Sequence, residues 1–113
     1  ENGSHGALGN CLINHNSRHA LWCRNAKNGM TVQNCGFFYG DITLEDSQGI
    51  VISGGELCCN LFTRGEGVNR LAGNYLIPHP GICERFEFSP GTILEGNFTA
   101  EGAWPFGDGS EPA

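Results

Sequence analysis

The most informative segment of the chain is Ile50-Val51-Ile52-Ser53-Gly54-Gly55-Glu56-Leu57-Cys58-Cys59-Asn60-Leu61-Phe62. Its two halves are rich in residues that favour β-strands, and they flank Gly54-Gly55, a pair that reaches the positive φ angles of a tight turn without steric cost. The stretch therefore predicts a β-hairpin. Because successive side chains on a strand point to opposite faces, Cys58 and Cys59 are expected on opposite sides of one sheet.

Two further hairpins are predicted on either side of this one. Their turn signals are Asn28-Gly29 and Pro90-Gly91, which are typical of tight hairpin turns and of type II turns respectively. The first turn would join residues 21–24 to residues 30–35, and the second would join residues 82–88 to residues 92–99. The 18 glycines interrupt nearly every window long enough for a helix, and no internal repeat is evident. The predicted fold is all-β: a small disulfide-stapled sandwich or barrel of antiparallel hairpins, with at most short helical turns.

The chain contains six cysteines and no C-x2-C pair, so zinc-ribbon and thioredoxin-type sites lose their main support. An even number of cysteines in a short chain favours a disulfide framework. We therefore expect three disulfides, with the pairing left open except that a strained ring between the adjacent Cys58 and Cys59 is excluded. The residues concerned are Cys11, Cys23, Cys35, Cys58, Cys59 and Cys83.

A disulfide framework predicts an oxidising compartment, and hence a secreted, extracellular protein. The chain begins at Glu1 with no apolar leader, which is expected of a mature chain, and no apolar run has the length of a membrane span. Two sequons, at Asn2 and Asn97, are candidate glycosylation sites. The formal net charge of −6, with Lys27 as the single lysine, argues against nucleic acid as a partner. Nothing in the sequence indicates a cofactor or a metal site, and we expect a monomer.

Composition divides the chain into three parts. Residues 1–9 contain three glycines and are predicted to be a mobile N-terminal arm. Residues 10–99 carry all six cysteines and the strand candidates, and form the single β domain. Residues 100–113 are rich in Gly, Pro and acidic residues and are predicted to be a C-terminal tail, with Trp104 or Phe106 as the residues that would dock back.

One catalytic alternative is visible in the sequence. His79, Glu84 and Arg85 combine an imidazole, a carboxylate and a guanidinium, the groups used in acid–base cleavage of RNA. The competing interpretation, a rigid turn with exposed charges, is preferred because the spacing is not diagnostic. Asp41, Glu45 and Asp46 resemble a carboxylate pair of a glycosidase or a calcium site, and a solvated turn is again preferred.

The sequence favours a binding role over an enzyme. Consecutive rings cannot all face one core, so the aromatic cluster at residues 37–39 is expected to expose at least one ring. The long loop at residues 63–73 would present arginines beside it, and interfaces are rich in aromatic residues and arginine. The predicted binding residues are Phe37, Phe38, Tyr39, Arg64, Asn69 and Arg70.

In general type the chain resembles the small secreted cysteine-rich proteins that fungi release at hosts or competitors. The shared features are its size, six cysteines with one adjacent pair, high glycine content and acidic charge. The resemblance implies an effector that binds a host or competitor protein, or a glycan, through surface loops. Lectin-like and ribonuclease-like proteins belong to the same class and stay as alternatives.

Overall fold

The computed structural model describes residues 7–10, 12–14 and 19–104. Its strands form two sheets in which almost every neighbouring pair is parallel. Sheet A contains β1 (Ala7–Gly9), β4 (Met30–Gln33), β6 (Ile50–Ser53), β8 (Asn69–Ala72) and β11 (Thr92–Glu95). Sheet B contains β2 (Leu12–Asn14), β3 (His19–Arg24), β5 (Gly36–Glu45), β7 (Glu56–Arg64), β9 (Tyr75–Leu76), β10 (Phe86–Glu87), β12 (Phe98–Thr99) and β13 (Gly102–Ala103). Within the described residues the one antiparallel strand pair is β12 with β13.

The chain alternates between the sheets, so that it winds through a β-solenoid-like stack of rungs. Each rung is one strand of sheet A followed by a strand or two of sheet B. In sheet A, Leu8 pairs with Val32, Val32 with Ile52, Ile52 with Leu71 and Leu71 with Leu94, which are steps of 24, 20, 19 and 23 residues. Each strand therefore lies beside the strand one rung away in the chain.

Sheet B is divided into two limbs by a bulge in β5. The register between β5 and β7 shifts between Phe38 and Asp41, where Tyr39 and Gly40 both have positive φ angles. The first limb is formed by β2, β9, β12, β13 and the beginnings of β5 and β7. The second limb is formed by β3, β10 and the ends of β5 and β7.

The all-β class is confirmed, but the sandwich or barrel of antiparallel hairpins is wrong. Gly54-Gly55 connects β6 of sheet A to β7 of sheet B, and these two strands do not pair. A tight type I′ hairpin turn needs positive φ at both central residues. Gly54 has a φ of 66°, but Gly55 is not in the positive region. One left-handed residue turns the chain through a corner instead of reversing it.

The other two predicted hairpins fail for the same reason. Gly29 has a positive φ of 82° but Asn28 does not, and Gly91 lacks the positive φ that a type II turn requires at that position. In both places the flanking strands lie in different sheets: β3 and β4 around the first turn, and β10 and β11 around the second. Turn residues that signal a hairpin here mark the corners between successive sides of a rung.

The prediction of a disulfide framework is also wrong for the described cysteines. No disulfide joins any two of the described cysteines, Cys23, Cys35, Cys58, Cys59 and Cys83, while Cys11 lies outside the described residues. Four of these five side chains are at most 5% exposed, because small thiols pack well against apolar neighbours. Cys59 belongs to the hydrophobic core cluster. The described cysteines therefore contribute to the fold as buried apolar side chains and not as disulfide bonds.

The core consists of columns of apolar side chains that stack from rung to rung. Val32, Ile52, Leu71 and Leu94 form the column behind sheet A, and each is at most 2% exposed. Phe37, Leu57 and Leu76 form the column behind the first limb of sheet B, and Ile42 and Leu61 pair behind the second limb. Burial of each such side chain contributes about 1.5–3 kcal/mol relative to exposure.

A polar ladder fills the corner between sheet A and sheet B. The Asn74 amide donates to the Ile52 carbonyl and to Asn97 Oδ1, both at 3.0 Å, and its Oδ1 accepts from the Gly55 backbone N–H at 3.0 Å. The Asn97 amide donates to the Leu71 carbonyl at 2.9 Å. At the corner, backbone N–H and C=O groups have no partner on a neighbouring strand, and these two side chains supply the missing hydrogen bonds. Buried backbone groups need such partners wherever the chain is irregular.

Strands extend beyond residues 10–99 at both ends of the predicted domain. β1 pairs with β4 in sheet A, and β13 pairs with β12 in sheet B. Trp104 is 3% exposed and packs its ring edge-on against Phe86, with centroids 5.2 Å apart. Residues 1–6 and 105–113, which hold the rest of the predicted arm and tail, lie outside the described residues. In the described part of the chain there is no helix that could span a membrane.

Candidate functional site

The outer side of the second limb of sheet B carries three columns of polar and aromatic side chains. Ile42, Leu44 and Leu61 point into the core, so the residues that alternate with them point outward. Strand pairing aligns His19 with Asp41 and Asn60, Trp22 with Thr43 and Phe62, and Arg24 with Glu45 and Arg64. We call this surface the Trp22 face; it consists of His19, Trp22, Arg24, Asp41, Thr43, Glu45, Asn60, Phe62 and Arg64. Thr43 and Phe62 point to this side of the sheet but are covered by their neighbours, with 2% and 4% of their surface exposed.

Trp22 is the exposed aromatic residue of this face, with 45% of its surface open to solvent. Its Nε1 donates a hydrogen bond of 2.9 Å to Glu45 Oε1 on the next rung. The His19 ring stacks on the indole with centroids 4.7 Å apart, and the Arg24 guanidinium carbon lies 5.5 Å from the indole centroid. Three neighbours therefore hold an exposed tryptophan in one orientation.

Asn60 joins the Trp22 face to the loop between β9 and β10. Its amide donates to Asp41 Oδ1 at 3.0 Å. Its Oδ1 accepts from the backbone N–H groups of Glu84 and Arg85 at 3.0 and 2.9 Å. The loop is therefore fastened to the face by a side chain whose hydrogen-bonding groups are used on both sides.

Phe62 is covered by two arginines. The guanidinium carbons of Arg64 and Arg85 lie 4.7 and 5.4 Å from its ring centroid. Both arginines also contact Glu87 at 3.5 Å, and these ion pairs are half exposed, so they contribute little to stability. The arrangement places two cations and one carboxylate at the edge of the Trp22 face.

The catalytic alternative is only partly brought together. His79 and Glu84 both line a cavity of about 420 Å³ beside the loop between β9 and β10. Arg85 does not line it, because its guanidinium lies over Phe62. The His79 Nδ1 lies 3.1 Å from the Pro80 carbonyl oxygen. Among the described residues, no arginine lines the cavity beside this imidazole, so none of them is placed there to stabilise a phosphate.

Two buried thiols lie close to this cavity. Burial raises the pKa of the Cys83 thiol to about 11, and the nearby Cys58 thiol acts in the same direction. Burial also raises the pKa of the Cys59 thiol well above its ordinary value, with Cys83, Cys58 and Asp41 adding to the effect. Since the thiolate is the nucleophilic form, neither group is activated for attack at neutral pH.

The predicted binding residues are divided among separate places. Phe37 is 0% exposed and belongs to the core, and Phe38 is half-buried. Tyr39 is 43% exposed and lies at the bulge of β5. The aromatic cluster thus presents one well-exposed ring, in agreement with the argument that three consecutive rings cannot all face one core.

The three polar members of the predicted surface are divided between the two sheets, with Arg64 on sheet B and the adjacent Asn69 and Arg70 on sheet A. Arg64 belongs to the Trp22 face at the end of β7. Asn69 is buried, where it accepts from the Ile50 N–H and donates to the Ser47 carbonyl, both at 2.9 Å. Arg70 lies on sheet A and pairs with Glu95. The fold therefore gives Asn69 a structural position and separates the two arginines.

One candidate glycosylation site is internal. Asn97 is 6% exposed, and its amide nitrogen, the atom that would carry the sugar, donates to the Leu71 carbonyl. A glycan on that nitrogen would not fit the folded corner. Asn2 lies outside the described residues.

Sequence reasoning missed most of the Trp22 face, although a signal was present. Trp22 and Arg24 flank the buried Cys23, and Asp41, Thr43 and Glu45 alternate with the buried Ile42 and Leu44. Such alternation predicts a half-buried strand with a polar outer side. Only the parallel stacking of the rungs shows that the outer sides of three strands form one surface.

The described residues contain no group of three or more His, Cys, Asp or Glu side chains that could hold a metal ion. No protein-family model matches the chain, and no curated protein or solved structure is significantly similar to it.

Proposed function

We propose that the protein binds a neutral polysaccharide chain on the Trp22 face. The observation that supports this most is an exposed indole held between planar hydrogen-bonding side chains on a rigid sheet. A sugar ring presents C–H groups that pack on aromatic surface and hydroxyls that pair with carboxylates, amides and guanidinium groups. The Trp22 face offers the exposed part of the Trp22 indole together with carboxylates and guanidinium groups, while the Asn60 amide is already hydrogen-bonded within the fold.

The spacing of the face suits a repeating ligand. Neighbouring strands in a sheet lie about 4.8 Å apart, so equivalent side chains recur at that interval across the rungs. The column of Arg24, Glu45 and Arg64 thus offers donor, acceptor and donor groups in succession. A polymer lying across the strands would meet a new set of side chains at each step.

The charge of the face favours a neutral polymer over a charged one. Arg24 and Arg64 are balanced by Asp41 and Glu45 within the same surface. Sites on sheets are also more precisely held than sites on loops, so little ordering entropy is lost on binding. Secretion and a host- or competitor-directed role remain predictions of the sequence, and a glycan ligand is compatible with both.

The test is to titrate the protein with soluble neutral oligosaccharides of several sugar types and to measure binding by tryptophan fluorescence and by calorimetry. Trp22→Ala is expected to weaken binding at least about tenfold, because a buried aromatic anchor is commonly worth about 2 kcal/mol or more. Phe98→Ala is the matched control, since Phe98 is also 45% exposed but lies outside the Trp22 face. Both variants should retain the circular dichroism spectrum of the parent protein.

A second variant examines the orientation of the indole. Glu45→Gln keeps an acceptor for the Trp22 Nε1–H, whereas Glu45→Ala removes it. We expect the alanine variant to bind oligosaccharides more weakly than the glutamine variant. If no oligosaccharide binds, or if Trp22→Ala and Phe98→Ala weaken binding equally, the proposal is wrong. Capture of a defined protein through Trp22 would replace the glycan by a protein partner.

A further inference from the structure

The cavity beside the loop between β9 and β10 is a second concave site, and it shares no lining residue with the Trp22 face. Its volume of about 420 Å³ lies within the range of small-molecule sites, which are mostly apolar with a few convergent polar groups. Its apolar walls are formed by Pro78, Pro80, Phe86 and Trp104. Its polar lining includes His79, Glu84 and Glu101.

The walls of the cavity are fixed by hydrogen bonds. The backbone N–H groups of His79 and Cys83 each donate to the carbonyl of the other, at 3.1 and 2.8 Å, which closes the loop into a tight turn. Asn60 fastens Glu84 from the opposite side. On the facing wall, the Glu101 N–H donates to Thr99 Oγ1 at 3.1 Å. The cavity is therefore largely formed before any ligand arrives.

The polar groups that line the cavity are mainly acceptors. Glu84 and Glu101 are carboxylates, and among the described lining residues there is no lysine or arginine. The His79 Nδ1 lies 3.1 Å from the Pro80 carbonyl oxygen, which only accepts, so this contact is a hydrogen bond in the tautomer that carries its proton on Nδ1. The Nε2 atom is then an acceptor as well. A ligand that complements these groups must bring donors or positive charge.

The aromatic walls point to the same class of ligand. Phe86 and Trp104 meet at 84° with ring centroids 5.2 Å apart, so they form a corner of two nearly perpendicular rings. The negative faces of aromatic rings attract cations, and such contacts strengthen when water is excluded. Phe86, the more exposed of the two rings, is the one placed to contact a bound cation.

We propose that this cavity binds a small organic ammonium ion, with its positive group near Phe86, Glu84 and Glu101 and the rest of its apolar body against the two prolines. Different lining residues contact the apolar part and the charged part of the ligand. Apolar contact alone would favour any small hydrophobic molecule, whereas the acceptor lining selects for the charge.

The test uses choline and its neutral isostere, in which a tert-butyl group replaces the trimethylammonium group. Binding is followed by shifts of the backbone amide signals in NMR spectra of the complete chain. We expect choline to shift amides of residues 78–86 and 99–104, and to bind about tenfold more tightly than the isostere, since the two differ only in charge.

Charge-neutral variants separate the carboxylates from the cavity itself. Glu84→Gln with Glu101→Gln is expected to weaken choline binding about tenfold and to leave the affinity for the isostere unchanged. Glu66→Gln is the matched control, because Glu66 is an exposed carboxylate that does not line the cavity.

Three results would overturn the proposal: equal affinity for choline and its isostere, choline shifts outside the cavity, or no shifts at all. The proposal is independent of glycan binding, because Trp22→Ala should leave the choline shifts unchanged. Failure of one proposal therefore does not count against the other.

Discussion

Asn74 is the residue on which the corner between the two sheets depends most. It is 0% exposed and satisfies the Gly55 N–H and the Ile52 carbonyl in addition to the Asn97 side chain. Asn74→Ala removes these partners and leaves buried backbone groups without hydrogen bonds. We expect a loss of about 2–4 kcal/mol in the free energy of unfolding, measured by chemical denaturation.

The control for that change is Asn28→Ala, because Asn28 is exposed in a turn. Substitutions at such surface positions usually alter the free energy of unfolding by less than about 0.5 kcal/mol. Equal effects of the two substitutions would show that the ladder does not stabilise the corner.

The Cys83 thiol makes stability depend on pH in the alkaline range. Its pKa rises from 9.0 to about 11 in the folded state because of burial, so the unfolded chain loses this proton first. The contribution of the protonated Cys83 thiol to the free energy of unfolding is fully present below pH 9. It is lost as the pH rises from 9.0 through about 11. The slope for this thiol is at most about 1.4 kcal/mol per pH unit.

Denaturation curves from about pH 8 to pH 11, for the parent protein and for Cys83→Ala, measure this contribution. The variant is expected to be less stable at the lower pH but to lose less free energy of unfolding as the pH rises. The difference between the two slopes removes the titration of groups that both proteins share, and reports Cys83 together with its effect on the pKa of the neighbouring Cys59 thiol. Identical slopes would contradict a buried, protonated Cys83.

At the scale of the element, the corner after β6 is specified by close backbone contact. A Cβ atom on Gly55 would lie 2.3 Å from the Cys35 carbonyl oxygen, a distance that no side chain tolerates. Gly55→Ala is therefore expected to reduce the free energy of unfolding by about 2 kcal/mol or more, because backbone on a neighbouring rung must move.

Gly73→Ala provides the comparison at an equivalent corner. Gly73 has a φ of 64°, and no atom lies within 4 Å of the position that an alanine methyl group would take. Alanine there brings only left-handed backbone strain of about 1–2 kcal/mol. Thermal or chemical denaturation of both variants ranks the two effects. A smaller loss for Gly55→Ala than for Gly73→Ala would mean that the corner relaxes easily.

Across the whole molecule, many of the strands could be predicted from the sequence but their partners could not. Two strands were missed as well: β1 lies in the predicted mobile arm, and β8 lies in the predicted loop at residues 63–73. Residues that favour β-strands identify β6 and β7, yet they do so equally for antiparallel hairpins and for a parallel stack. The steps between rungs range from 19 to 24 residues, which hides the repeat. The left-handed corner residue is Asn10, Asn34, Gly54, Gly73 or Gly96 in successive rungs, so no single residue type marks it.

The same limit applies to the candidate sites. The strand pattern around Trp22 predicts an outward ring, but the neighbours Glu45 and Asn60 come from rungs that only the parallel pairing places beside it. His79 and Glu84 could be grouped from the sequence because they lie in one loop. The sequence also predicts that Trp104 or Phe106 docks back onto the domain, but no local pattern shows that Trp104 and Glu101 line one cavity with His79 and Glu84.

The 19-residue step from Ile52 to Leu71 has a consequence for how such a protein can change its length. A tandem copy of residues 50–68 would supply one complete rung. Its strands could pair with the rung before it and the rung after it in the same way as the original strands do. Everything after the copy would shift by about 4.8 Å along the stack and keep its own packing. Duplication of a short piece of gene would thus lengthen the protein in whole turns, and each added turn would extend the outer surface by the same increment.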